Sequence, residues 1–284
     1  MKTIELQQVT EKVKHLCQQA NIVLGEDVIS ALEKFRRTEE SPTGREILDQ
    51  ILDNAQVAKE QNAPLCQDTG FAVFFVEIGR DVQLAGEGTV EEAINRGVAQ
   101  GYSEGYLRKS IVGDPLERKN TGDNTPAVVH LKQVPGDNLK ITFAPKGGGS
   151  ENMSRLAMLK PSDGLEGVKN FVVETVKIAG ANPCPPIIVG VGIGGTFELC
   201  AYLAKKSLLR ELGSRHPEPF YSRLEDELLE LVNATGIGPQ GLGGRTTALA
   251  VHVEVHPCHI ASLPVAVNMQ CHSARHLSAT FRDI

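Results

Sequence analysis

No stretch of this 284-residue sequence stays apolar long enough to span a bilayer. Its opening residues, MKTIELQQVTEKVKHLC, lack the hydrophobic core of a signal peptide and pattern as an amphipathic helix. Both absences point away from a membrane and towards the cytoplasm. Basic charge is not in excess: 29 Lys and Arg stand against 35 Asp and Glu, for a formal net charge of -6. Nucleic-acid binding needs a basic face to neutralise phosphates, so that class is excluded as an expectation. The six cysteines contain no C-x-x-C pair, which removes a zinc ribbon or ferredoxin arrangement. In a reducing compartment they read as core residues, metal ligands or catalytic groups rather than disulfides. There is also no internal repeat, low-complexity tract or long linker.

What is present is ordinary for a globular protein: 41% hydrophobic and 23% charged residues. The pattern predicts one mixed α/β unit covering 1–284. Residues 1–62 read as a helical section, with Leu16, Ala20, Val28, Leu32, Ile47, Leu48, Ile51 and Ala55 at helical spacings. Residues 63–284 read as a mixed β-sheet flanked by helices, with Gly-, Pro-, Cys- and His-rich loops at strand ends. FAVFFVEIG (71–79) is strand-like, and Thr89 with Glu92 forms a capping box before the next helix. PGDN, between two apolar runs, predicts a hairpin. Helices are expected in SDGLEGVKNFVVETVKIAG, over about 196–212 and over 217–233, with a buried strand at IIVGV and a β-rich closing segment.

Three constellations compete for the chemistry. GVGIGG (190–195) matches G-x-G-x-x-G, but no second parallel strand with a terminal acid follows, so a glycine-lined turn admitting a close backbone neighbour is the better reading. Cys258, His259, Cys271, His272 and His276 have zinc-binding side chains without the paired spacing of common structural sites. Cys66 in PLCQDTG, Cys184 in NPCPP and Cys271 in NMQCHSARH are widely spaced and loop-borne. Three such thiolates can hold a cubane cluster by three corners and leave one iron open. Cys17 and Cys200 fall in helical patterns and read as core.

The motifs PLCQDTG, ERKNTGDNTPAVVH, APKGGGSENMS, ANPCPPIIVGVGIGGT, GIGPQGLGGRTTALAVHVE and IASLPVAVNMQCHSARH run almost end to end in one order. By them the chain resembles the α subunit of class I, iron–sulfur-dependent fumarate hydratases and the similar α subunit of L(+)-tartrate dehydratase. The resemblance implies a [4Fe–4S] cluster on Cys66, Cys184 and Cys271, with Cys258 a non-ligand. It implies reversible hydration of fumarate to L-malate, tartrate dehydration being the alternative within the same chemistry. A non-catalytic iron–sulfur redox sensor or scaffold is the alternative of another class.

Hydration of a dicarboxylate needs donors for two carboxylates, a Lewis acid for the hydroxyl and a general base. By the resemblance Asp68 exchanges a proton with the hydroxyl, while Gln67, Arg108, Gly149 and His259 bind substrate. The structural alternatives are an Asx-turn for Asp68, a helix-end surface arginine for Arg108 and a strand-borne core residue for His259. Gly147–Gly149 can offer an anion nest, with Lys146 adding charge, and Asp123 with Asn124 reads as a turn in preference to a substrate-orienting pair. In the family a second region brings the general base. For a chain of this extent it is expected on a separate β subunit, most simply in an α2β2 assembly.

Overall fold

The computed structural model describes residues 2–281. Met1 and residues 282–284, where the helical section was expected to begin and the SATFRDI segment to end, lie outside the described residues. The architecture is mixed α/β, with a helical N-terminal region and mixed sheets flanked by helices. In chain order the first half comprises β1 (Lys2–Glu5), α1 (Leu6–Ile22), α2 (Glu26–Thr38), α3 (Pro42–Gln61), β2 (Phe71–Gly79), β3 (Val82–Ala85), α4 (Val90–Glu104), β4 (Val128–Val134) and β5 (Leu139–Lys146). The second half comprises the single turn α5 (Gly148–Glu151), β6 (Arg155–Leu159), α6 (Gly164–Ala179), β7 (Ile187–Gly194), α7 (Phe197–Ser207), α8 (Pro219–Asn233), β8 (Ala248–His256), β9 (Leu263–Gln270) and β10 (Leu277–Phe281). No helix among the described residues is long and apolar enough to cross a membrane.

The chain divides into two compact units, each assembled from separated segments. The first takes the described residues up to Leu24, Val57–Gly148 and those from Arg275 onward; the second takes Gly25–Gln56 and Gly149–Ala274. The first holds a four-stranded sheet in the order β10-β5-β2-β4. Its core gathers Val9, Val13 and Leu16 of α1, Ile94, Val98 and Tyr102 of α4, and Phe74 and Phe143 from neighbouring strands. Those two rings stack with centroids 5.0 Å apart. The expected capping box opens α4: Glu92 N–H donates to Thr89 Oγ1 at 3.2 Å, and Thr89 N–H donates to Glu92 Oε2 at 2.8 Å.

The predicted hairpin across PGDN does not form. β4 and β5 exist, but β2 lies between them, parallel to β4 and antiparallel to β5. Burial explains the insertion. β2 is apolar on both faces and takes a central position, whereas β4 carries alternating polar residues that tolerate an edge. Four short strands also go unannounced in the sequence: β1 and β3, which pair in parallel, β6, which pairs with β9, and β10, which pairs with β5.

The second unit holds a four-stranded sheet in the order β6-β9-β7-β8. Val172, Val176, Val189, Val191, Leu228 and Val267 are among its core residues. The glycines of GVGIGG do what their spacing suggested. A Cβ on Gly190 would lie 2.2 Å from the carbonyl oxygen of Ala204, and one on Gly192 would lie 2.1 Å from that of Cys200. The missing side chains let α7 rest its backbone directly on β7.

Candidate active site

Each unit brings a cysteine loop to the start of its third-position strand. In the first unit this is PLCQDTG, between α3 and β2. Cys66 is half-buried; its S–H donates to Gln67 Oε1 at 3.2 Å, and Asp68 N–H donates to Cys66 Sγ at 3.4 Å. The expected Asx-turn is present, with Gly70 N–H donating to Asp68 Oδ1 at 2.9 Å. The other carboxylate oxygen accepts the Gly148 N–H at 2.8 Å. The anion held by the glycine turn is therefore Asp68 itself, locked in one rotamer beside a thiol.

Three successive carbonyls of this turn receive buried donors from distant parts of the chain. Arg275 Nη2 donates to Asp68 O at 2.5 Å, Tyr102 OH to Thr69 O at 2.7 Å, and Asn124 Nδ2 to Gly70 O at 3.2 Å. Burial, reinforced by the nearby Cys17 thiol, pushes the Tyr102 phenol well above its ordinary value, so it remains a donor. Arg275 is 3% exposed, and its Nε and Nη1 find no partner among the described residues. Arg108 follows α4 in an exposed loop rather than on a helix end. Its guanidinium has no acceptor among the described residues, while its backbone carbonyl accepts from Thr69 Oγ1 at 3.1 Å.

The second unit repeats the placement with other chemistry. Cys184 is exposed, has a left-handed backbone (φ 56°) and is separated from β7 by Pro185 and Pro186. Cys271 is half-buried and immediately follows β9, the antiparallel neighbour of β7. The two loops are joined by His272, whose backbone N–H donates to Cys184 O at 3.3 Å. His272 Nδ1 lies 3.1 Å from that carbonyl and 3.1 Å from Gln240 Nε2, contacts that use opposite tautomers. Gln240 also binds Pro185 O through its backbone N–H (2.8 Å) and side-chain Nε2 (2.9 Å). Gly149 leaves room for this segment, since a Cβ there would lie 3.3 Å from Asn182 O.

His259 is not in a strand. β8 ends at His256, Pro257 follows, and His259 sits in an exposed loop with its Nδ1 accepting the Ala261 N–H at 3.1 Å. Cys258 shares that loop and donates to Ser262 O. Cys17 and Cys200 are buried, and burial pushes both thiols up, as inert core cysteines require. Asp123 does form a turn, accepting from Thr125 N and Oγ1. Asn124 instead reaches across to Ser110 and Gly70. Sequence reasoning missed Tyr102, Gln240 and Arg275, and for Asn124 it weighed a turn or a substrate contact rather than links to Ser110 and Gly70. All but Tyr102 lie inside the quoted motifs, but motif membership alone does not say what a side chain touches.

Among the described residues no three His, Cys, Asp or Glu side chains are grouped to hold a single metal ion. The donor set nevertheless suits a thiolate-held cluster. Cys66, Cys184 and Cys271 are accessible strand-end thiols, and Cys66 already receives an N–H of the kind that stabilises a thiolate.

Comparison with known proteins places the chain in a recognised class of lyases. A profile of the family described as Fumarate hydratase (Fumerase) matches residues 10–280, so the chain belongs to that hydro-lyase family. It is 45% identical over 272 residues to a Methanocaldococcus jannaschii protein provisionally named L(+)-tartrate dehydratase subunit alpha, covering 94% of this chain and 95% of the relative. It is 35% identical over 285 residues to the L(+)-tartrate dehydratase subunit alpha of Escherichia coli strain UTI89, covering 97% and 93%. A Shigella boydii protein of the same name matches at 35% identity, with the same coverage.

Proposed function

We propose that this chain, acting as a single catalytic domain, is the α subunit of a heteromeric hydro-lyase that reversibly hydrates fumarate to L-malate. A [4Fe–4S] cluster is held by Cys66, Cys184 and Cys271. The observation that carries the reading is the PLCQDTG loop, where a carboxylate fixed by two backbone N–H groups follows an accessible thiol by two residues. A sensor or scaffold has no need of a carboxylate oriented in this way. When bound, the cluster supplies a Lewis acid for the hydroxyl that is added or removed.

The remaining work falls to the chain's own groups. Asp68 takes or returns the hydroxyl proton, its rotamer preset by Gly70 and Gly148. Arg108 offers its planar fork to one substrate carboxylate. Gln67, the backbone at Gly149 and the exposed His259 supply further polar contacts. The base for the carbon-bound proton comes from a β subunit, consistent with relatives named as α subunits.

L(+)-Tartrate is the second reading, favoured by the names of the relatives. The test is the purified, anaerobically reconstituted chain assayed with and without its β partner on L-malate, fumarate and L-tartrate. Turnover that requires β supports the assignment, and the ratio of kcat/KM values selects the substrate. Full turnover by the chain alone would remove the β requirement. A cluster-loaded complex inert to all three acids would return the chain to the sensor or scaffold reading.

A further inference from the structure

The long segment between α4 and β4 is mostly exposed, and from Val112 to Thr125 Asn124 is the only buried residue. It is 0% exposed and adopts φ 66°, a left-handed conformation that asparagine tolerates better than most residues. Both ends of its amide are used. Oδ1 accepts the Ser110 N–H at 2.8 Å, and Nδ2 donates to Gly70 O at 3.2 Å. Thr69 Oγ1 makes a third link, to Arg108 O. Residues 108–110 are thereby tied to the turn that carries Asp68, and the Asn124 side chain binds both segments.

We propose that Asn124 is a positioning residue that sets the Arg108 backbone relative to Asp68, and so fixes where a dicarboxylate sits against the proton-transferring carboxylate. The inference rests on the assignment of Arg108 as the carboxylate-binding group. Arginine reaches its ligand through several rotatable bonds, so an unfixed backbone would spread the guanidinium over many positions. Productive geometry tolerates displacements of only about half an ångström. A buried amide with its donor and acceptor both satisfied holds one arrangement, because any slip leaves a buried polar atom unpaired.

The test is a double-mutant cycle in the cluster-loaded α–β complex, read as KM, kcat and the calorimetric Kd for the better substrate. Asn124→Gly keeps the left-handed backbone and deletes both side-chain bonds. It is expected to raise KM and Kd by about 10- to 100-fold, with the cluster spectrum unchanged. In an Arg108→Ala background the same change should cost little further, because the residue acts through Arg108. Should the glycine variant fail to fold, Asn124→Asp takes its place, keeping the acceptor for Ser110 and losing the donor to Gly70. If Arg108→Ala raises KM while Asn124→Gly leaves it unchanged, or the two effects simply add, the positioning role is overturned and the Arg108 assignment stands. If Arg108→Ala leaves KM and Kd unchanged, the assignment itself fails and this inference fails with it.

Discussion

The two four-stranded sheets share one pattern of pairing. Across β10-β5-β2-β4 and across β6-β9-β7-β8 the neighbours run antiparallel, antiparallel, then parallel. Along the chain the positions are visited in the order third, fourth, second, first in one unit and first, third, fourth, second in the other. Moving the first-position strand from the end of the sequence to its start converts one into the other. In both sheets a cysteine loop precedes the third strand, and the end of the second strand pairs beside it, Lys146 with Phe71 and Gln270 with Ile188. The chemistry placed there differs. The first unit sets a carboxylate against glycine N–H groups, whereas the second sets two cysteine loops against each other through His272. One strand arrangement can thus present a carboxylate beside a single thiol or a pair of linked cysteine loops, depending on a few loop residues.

If both units contribute ligands to the proposed cluster, cysteines from both should matter equally. Cys66→Ser, Cys184→Ser and Cys271→Ser should each reduce iron and sulfide per reconstituted chain to near zero, whereas Cys258→Ser should retain the full complement. Loss confined to one unit's cysteines would break the comparison. Asp68→Asn should separate the units' roles: cluster content is kept while turnover falls by about 10²- to 10⁴-fold.

The glycines offer a smaller contrast. Gly190→Ala forces a Cβ onto the α7 backbone and should destabilise the fold by about 1–3 kcal/mol in denaturant titration. Gly149→Ala meets Asn182 O at an adjustable 3.3 Å, so it should unfold near the wild-type midpoint while raising KM.

Acid should weaken the second unit through two buried groups. Glu39 is fully buried; burial alone would raise its carboxyl, but N–H donors from Arg245, Ser41 and Thr246 outweigh that and hold it down at about 2. Burial, helped by the Arg210 charge, depresses His252 to about 4. Both native values lie below those of the unfolded chain. Their stabilisation is therefore complete above about pH 4.5 for Glu39 and pH 6.5 for His252, and it is lost as pH falls through the native values. Glu39→Gln should cost about 1–3 kcal/mol at pH 7 and much less near pH 2.5, measured by chemical denaturation.

The sequence makes local features readable where a residue's neighbours in the chain decide its state. β2 spans the residues its apolar run marks, Thr89 and Glu92 cap α4, and Gly190 and Gly192 signal close packing. Pairing is less legible. PGDN specifies a turn, but β2 competes for β5 and wins through its greater buried surface. The site was readable as residue types in motifs, not as contacts. Arg275 binds a carbonyl 207 residues away and Asn124 one 54 residues away, and such links leave no periodicity to detect. His259 was misplaced because the alternation of β8 runs visually past Pro257, where the strand has already ended.

Under the proposed function, the thiols of Cys66, Cys184 and Cys271 hold one cluster with an iron open to substrate. The most direct test of this claim is anaerobic reconstitution with iron and sulfide, followed by EPR of the α–β complex with and without dicarboxylate. A cluster signal that shifts with L-malate or L-tartrate, and that is lost in each of the three cysteine variants, is the predicted result. A cluster indifferent to both acids, or one that survives any of the three substitutions, would contradict it.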